Sequence, residues 1–214
     1  MDDPEVTRPW SPMSPHGVAS IFARYPGRWW IAGGWSLDLF VGYPSRPHED
    51  IDVLILRADI GYFHQLLPDW TIMAADPPGS LRHWEAGTPL PDHVHDIWCR
   101  PGGADRWALQ IMVMDSVRDR WLFRRDHRVS GLLTDLDDIR DGIPILAPEV
   151  QLLYKAKVPH RPKDLADLRR MIPKLDRERQ TWLRQRVALL YPDSPALPLL
   201  ARAAGDSAVP DGTI

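Results

Sequence analysis

The sequence predicts an α+β protein, a mixed sheet carrying short helices and followed by a smaller helical part. Three observations predict it. Short apolar, β-branched and aromatic runs recur through the first two thirds of the 214 residues, set apart by Gly and Pro. One of these runs, Asp50 to Leu56, turns apolar on both faces after its first residues, as a strand does in the middle of a sheet covered on both sides. From Pro148 onward the apolar spacing becomes helical. Residues 1–147 are therefore expected as a sheet domain, 148–204 as a helical domain, and 205–214 as a disordered tail.

In chain order, a frayed segment to about Pro15 leads into a short helix, His16 to Tyr25, which Pro26-Gly27 ends. Trp29 to Ala32 reads as a strand that runs into Gly33-Gly34, where the chain can turn sharply and the backbone can approach a ligand closely. Leu37, Leu39, Phe40 and Val41 give a helical turn or two, closed by Gly42. Asp50 to Leu56 is the central strand, and a helix, Ile60 to Leu67, follows it. Strands are expected around Trp70 to Ala74, Leu81 to Glu85, His95 to Cys99 and Trp107 to Met114, the last two joined as a hairpin through Pro101-Gly102-Gly103. Trp121 to Asp126 reads as one more strand, and acidic Asp135 to Asp141 as a surface loop or short helix. Three helices close the chain, opening at Pro148, at about Lys163 and at about Asp176.

Composition excludes several classes. A formal net charge of -3 argues against a constitutive nucleic-acid binder, whose phosphate contacts need a basic face. The single Cys99 rules out an internal disulfide or a multi-cysteine zinc site and fits a reducing, cytoplasmic compartment. No apolar run is long enough for a membrane helix, and the segment to Pro15 lacks the pattern of a secretory leader. No Walker-type loop or kinase catalytic loop occurs, and no His pair has helical zinc-ligand spacing.

Asp50 and Asp52 stand at i and i+2 on one strand face, with Cα atoms about 6.6 Å apart at a rise of about 3.3 Å per residue. Their oxygens can converge on one cation. Without it, two carboxylates beside a low-dielectric core repel each other. Mg²⁺ suits the pair, because it takes oxygen ligands and is usually held by one or two carboxylates together with substrate phosphates. An isolated Asp-x-Asp can also simply point to solvent from a strand end.

The company of the pair decides for chemistry. A strand ending in Gly-Gly, a short helix, a basic pair and then Asp-Ile-Asp resembles the signature of the nucleotidyltransferase superfamily. More closely, Trp30-Ile31-Ala32-Gly33-Gly34-Trp35-Ser36-Leu37-Asp38 and Arg46-Pro47-His48-Glu49-Asp50-Ile51-Asp52-Val53 are similar to the aminoglycoside and lincosamide nucleotidyltransferases, the aminoglycoside-2''-adenylyltransferase-like group. The resemblance implies a polymerase-β-like nucleotidyltransferase fold with a C-terminal helical part, in which residues 1–147 are catalytic. It implies an enzyme that moves a nucleoside monophosphate, AMP by analogy, from an NTP to a hydroxyl of a small acceptor and releases pyrophosphate, with two Mg²⁺ ions.

By the same resemblance, Asp50 and Asp52 are catalytic metal ligands. Gly33, Gly34 and Ser36 would hold the triphosphate, a task for which backbone N–H groups and a hydroxyl at a helix start are suited. Arg46 and His48 would meet phosphate oxygens beside the carboxylates. A third carboxylate is expected on a neighbouring strand, and Asp96, within His95-Asp96-Ile97-Trp98-Cys99, is the first choice, with Asp115 as its rival. Asp96 would complete the metal site or accept the acceptor hydroxyl's proton. Lys155 would face the nucleotide, with Lys163 and Asp164 bracing the helix pair, and Trp98 could stack on a ring. Two other readings stay open: a toxin-like nucleotidyltransferase acting on tRNA or protein, and a catalytically silent nucleotide-binding module.

Overall fold

In the computed structural model, residues 3–158 and 161–205 are described. The chain divides into two compact units, Met1–Leu146 and Ala147–Ile214. The expected disordered tail, 205–214, lies almost wholly outside the described residues.

The first unit opens with a segment expected to fray, and its described residues are instead tied down by hydrogen bonds. Trp107 N–H donates to the Pro9 carbonyl at 3.0 Å, while Ser11 and Met13 N–H donate to the Trp107 and Ala108 carbonyls at 2.8 and 3.0 Å. Those bonds give the segment partners that no local pattern in it announces. Helix α1, Pro15–Phe22, follows, with Pro15 at its start and the Ser14 hydroxyl accepting from Gly17 N–H.

Strand β1, Trp29–Ile31, leads directly into helix α2, Gly33–Val41, which ends at Gly42 in the left-handed conformation (φ 83°) that glycine adopts without strain. Strand β2, Asp52–Leu56, comes next. A 3₁₀ turn, Arg57–Tyr62, and the single-turn helix α3, Phe63–Leu66, stand where one longer helix was expected. Strands β3, Trp70–Ala75, β4, Leu81–His83, β5, Asp96–Pro101, and β6, Leu109–Met114, complete the centre of the sheet.

Strands β7, Ser116–Val117, β8, Arg120–Leu122, and β9, Ser130–Leu132, form a small separate sheet. The strand expected over Trp121 to Asp126 is thus shorter. The acidic stretch expected as a loop or short helix is instead a 3₁₀ turn, Leu133–Leu136, and strand β10, Asp137–Arg140, and an unforeseen strand β11, Ile143–Leu146, pairs with it.

The main sheet runs β10-β11-β1-β2-β6-β5-β3-β4, which puts β2 in its interior between antiparallel β1 and parallel β6. Ile31, Val53, Ile55, Ile111, Val113 and Ile97 share one face, where they bury into a single core with Val18 and Phe22 of α1 and Phe63 and Leu66 of α3. The other face is different. Register sets Asp52 beside Gln110 and Gln110 beside Trp98, with Leu54, Met112 and Asp96 forming the next row. Asp52, Gln110, Trp98, Met112 and Asp96 are only half-buried.

The second unit is helical. Helices α4, Pro148–Lys155, α5, Pro162–Met171, and α6, Arg177–Leu190, match the expected three, and Asp176 caps α6 by accepting from Arg179 N–H at 2.8 Å. A fourth, α7, Ala196–Gly205, was not expected.

Candidate active site

Because β1 and β2 are antiparallel neighbours, the end of β1 lies beside the start of β2, and Ala32 N–H donates to the Asp52 carbonyl at 2.8 Å. Helix α2 therefore begins at the Asp52 side chain. Gly33 has φ 66°, and a Cβ there would overlap the Asp52 carboxylate. A Cβ on Gly34 would lie 2.5 Å from Arg46 Nη2 and 2.7 Å from His48 Nδ1. The two glycines thus let both the carboxylate and the basic pair close on the first turn of a helix, where N–H groups and the helix dipole favour an anion. Ser36 is fully buried one turn on, and its hydroxyl donates to the Gly33 carbonyl at 3.0 Å, bracing the turn rather than facing outward.

Asp50 lies just ahead of β2, next to the last ladder bond, in which Gln110 N–H donates to the Ile51 carbonyl at 3.0 Å. Asp50 and Asp52 are both half-buried. Two carboxylates near the start of a helix are of the kind that suits a hard cation with oxygen ligands. Among the described residues no three His, Cys, Asp or Glu side chains are gathered as metal ligands.

Asp96 shows why. It lies on β5, one strand beyond β6 and one row along from Asp52, about 12 Å away between Cα atoms by ordinary strand spacing, too far for both to bind one ion. Its carboxylate accepts from Arg124 Nη1 at 2.8 Å and from Gln110 Nε2 at 3.4 Å. It shares the open face with Asp52 but not a third metal-ligand position, so the expected three-carboxylate cluster does not form. The position directly beside Asp52 is Gln110, which the sequence reading missed because register is not written in a single strand. Next to Asp96, burial pushes the His95 imidazole down from its usual range, with Arg124 and Arg57 adding to the effect.

Asp115 is excluded by topology. Parallel β2 and β6 bring Arg57 and Asp115 together at the opposite end from Asp52, about 16 Å along the strand, and Arg57 Nε donates to Asp115 at 2.5 Å. Trp98 packs edge-on against Trp10 at 5.1 Å and against Trp107 at 5.7 Å, one position beyond Gln110 on the open face.

In the second unit Lys155 is buried, with Nζ 3.2 Å from Asp164 and 2.8 Å from Asp167. Burial works to raise the Asp164 pKa, but Arg161 and Lys155 outweigh it and hold the carboxyl below its usual range. The brace expected from Lys163 is made by Lys155 and Arg161. Lys155, expected to face a nucleotide, is here held between two carboxylates.

Comparison with known proteins follows the same residues. A family model described as aminoglycoside-2''-adenylyltransferase matches residues 16–76, the stretch from α1 through β3 that contains both Gly-Gly and Asp-x-Asp. The chain is similar in structure to the antibiotic-resistance factor ANT(2'')-Ia in solution, with a TM-score of 0.51 at 16% identity over 83% of this chain and 90% of that one. The lincomycin-bound lincosamide antibiotic adenylyltransferase LnuA gives a TM-score of 0.49 at 18% identity, covering 70% of this chain and 89% of that one. An antigenic nucleotidyltransferase-like protein from Paracoccidioides brasiliensis gives 0.47 at 18%, covering 87% and 89%. No curated protein sequence matches the chain. The fold is that of the nucleotidyltransferases, a mixed sheet with helices, as the resemblance implied.

Proposed function

We propose that the chain is a metal-dependent nucleotidyltransferase that moves a nucleoside monophosphate, AMP by analogy, from an NTP to a hydroxyl of a small molecule. The observation that carries this reading is the closure of Gly33-Gly34 on Asp52, Arg46 and His48, which joins a helix start of the kind that favours anions to a carboxylate and a basic pair. The family model over residues 16–76 supports the same chemistry. An acceptor of the aminoglycoside or lincosamide kind is the natural class by the resemblance of the Gly-Gly and Asp-x-Asp blocks, and the family model described as aminoglycoside-2''-adenylyltransferase supports it.

The backbone of the Gly33-Gly34 turn, with Arg46 and His48, would hold the triphosphate and draw charge off the departing pyrophosphate. Asp50 and Asp52 would hold Mg²⁺, which when bound would neutralise charge on the phosphates at the reacting phosphorus. Asp96, on the same open face, is left with the other of its two expected roles, accepting the acceptor hydroxyl's proton, and Arg124 and Gln110 orient it for that. Trp98 and Trp10 offer a flat surface beside it for a ring. A site of this kind uses cellular NTP, which suits the reducing compartment expected from the lone, buried Cys99. Among the described residues no helix is long and apolar enough to cross a membrane.

Pyrophosphate release, measured over the four NTPs with Mg²⁺ and a panel of hydroxylated acceptors, tests the reading. Asp50→Asn and Asp52→Asn are each expected to reduce release about 10²–10³-fold, the effect of removing one preorganised electrostatic group at a reacting centre, while both variants keep the wild-type circular dichroism. Full activity in either variant would overturn it.

A further inference from the structure

Helix α2 carries a carboxylate that the chemistry above leaves unused. Asp38 is 2% exposed, and burying an ionised carboxylate is costly unless donors surround it. It accepts from Ser45 N–H at 2.8 Å, from the Ser45 hydroxyl at 2.6 Å, and from His48 Nε2 at 2.7 Å. One side chain therefore fixes both the loop after α2 and the imidazole at its end.

The ring is held on its other side as well. His48 lies against the Trp35 indole at a centroid distance of 4.5 Å, and its side chain is 1% exposed. With Nε2 committed to Asp38, Nδ1 is the remaining polar edge. Among the described residues Nδ1 is buried without a hydrogen-bond partner, and it lies against Gly34 in the first turn of α2. An imidazole nitrogen so placed is expensive to leave unmet, and the ligand that would meet it is an anion seated on that turn.

We propose that Asp38 is a positioning residue for the nucleotide: it holds His48 by Nε2 so that Nδ1 faces the phosphates bound at Gly33-Gly34. This rests on the reading of that turn as an NTP site. Asp38 touches no substrate and acts only through His48.

The test is calorimetric titration of the full chain with ATP and Mg²⁺, repeated with the other NTPs if ATP does not bind. Asp38→Asn keeps the shape of the side chain and is expected to weaken binding about tenfold, the scale of one oriented charge-assisted hydrogen bond. His48→Gln should weaken it to the same degree, and the double variant should bind no more weakly than His48→Gln alone. Ser45→Ala, which removes one bond to Asp38 but leaves His48 in place, should bind as wild type. Wild-type binding by Asp38→Asn or His48→Gln, or losses that multiply in the double variant, would overturn the proposal alone. Absence of NTP binding by the wild-type chain would overturn the reading of the turn and the proposal with it.

Discussion

Gly33 is where the site is most exacting about residue type. Its φ of 66° costs an L side chain about 1–2 kcal/mol, and its missing Cβ leaves the space that the Asp52 carboxylate fills. Gly42 has the same kind of backbone, φ 83°, but open space around it. Both Gly33→Ala and Gly42→Ala are therefore expected to lose thermal stability, Gly33→Ala the more because it also displaces Asp52, while only Gly33→Ala loses pyrophosphate release, by tenfold or more if displacing Asp52 forfeits one interaction with the reacting phosphates. Equal activity losses in the two variants would show that the approach to Asp52 is not what Gly33 serves. At this scale the sequence was most informative, because a glycine pair and an Asp-x-Asp on a short span reflect local geometry that local residues determine. It was least informative about Gln110, Arg124 and Arg57, whose roles depend on which strand lies beside which.

Helices α4 and α5 are joined by a buried ion cluster. Lys155 sits between Asp164 and Asp167, with Arg161 and Arg170 on their outer sides. Lys155→Met keeps the volume but leaves two buried carboxylates short of a cation, and should cost about 3–5 kcal/mol of stability, read by denaturant unfolding. If the variant instead unfolds like wild type and binds NTP more weakly, the lysine serves phosphate, as the sequence resemblance implied. Elements with strong helical spacing, α4 to α6, were legible before the structure. Strand β10 was not, because Asp137-Asp138-Ile139-Arg140 is a polar edge strand whose identity comes from pairing with β11. The N-terminal segment was misread for a related reason: its partners, Trp107 and Ala108, are distant in sequence.

For the whole molecule, the α+β class could be read from the alternation of short strands and helices, and β2 as an interior strand from its two apolar faces. The sheet order could not, and it is the order that sets Asp115 at the far end of β6 from Asp52, places Asp96 two strands from Asp52 and leaves one face of the sheet half-open. That face, with Asp50 and Asp52 at one end and Asp96 and Trp98 across Gln110, is the surface on which a nucleotide and an acceptor would meet. The most direct test is mass spectrometry of hydroxylated acceptors, aminoglycosides and lincosamides first, after incubation with the protein, ATP and Mg²⁺. The account predicts an acceptor heavier by one AMP residue, one pyrophosphate released for each product, and no product when the metal is chelated. An acceptor that gains a lone phosphate, or an AMP adduct that forms equally well in chelator, would contradict it.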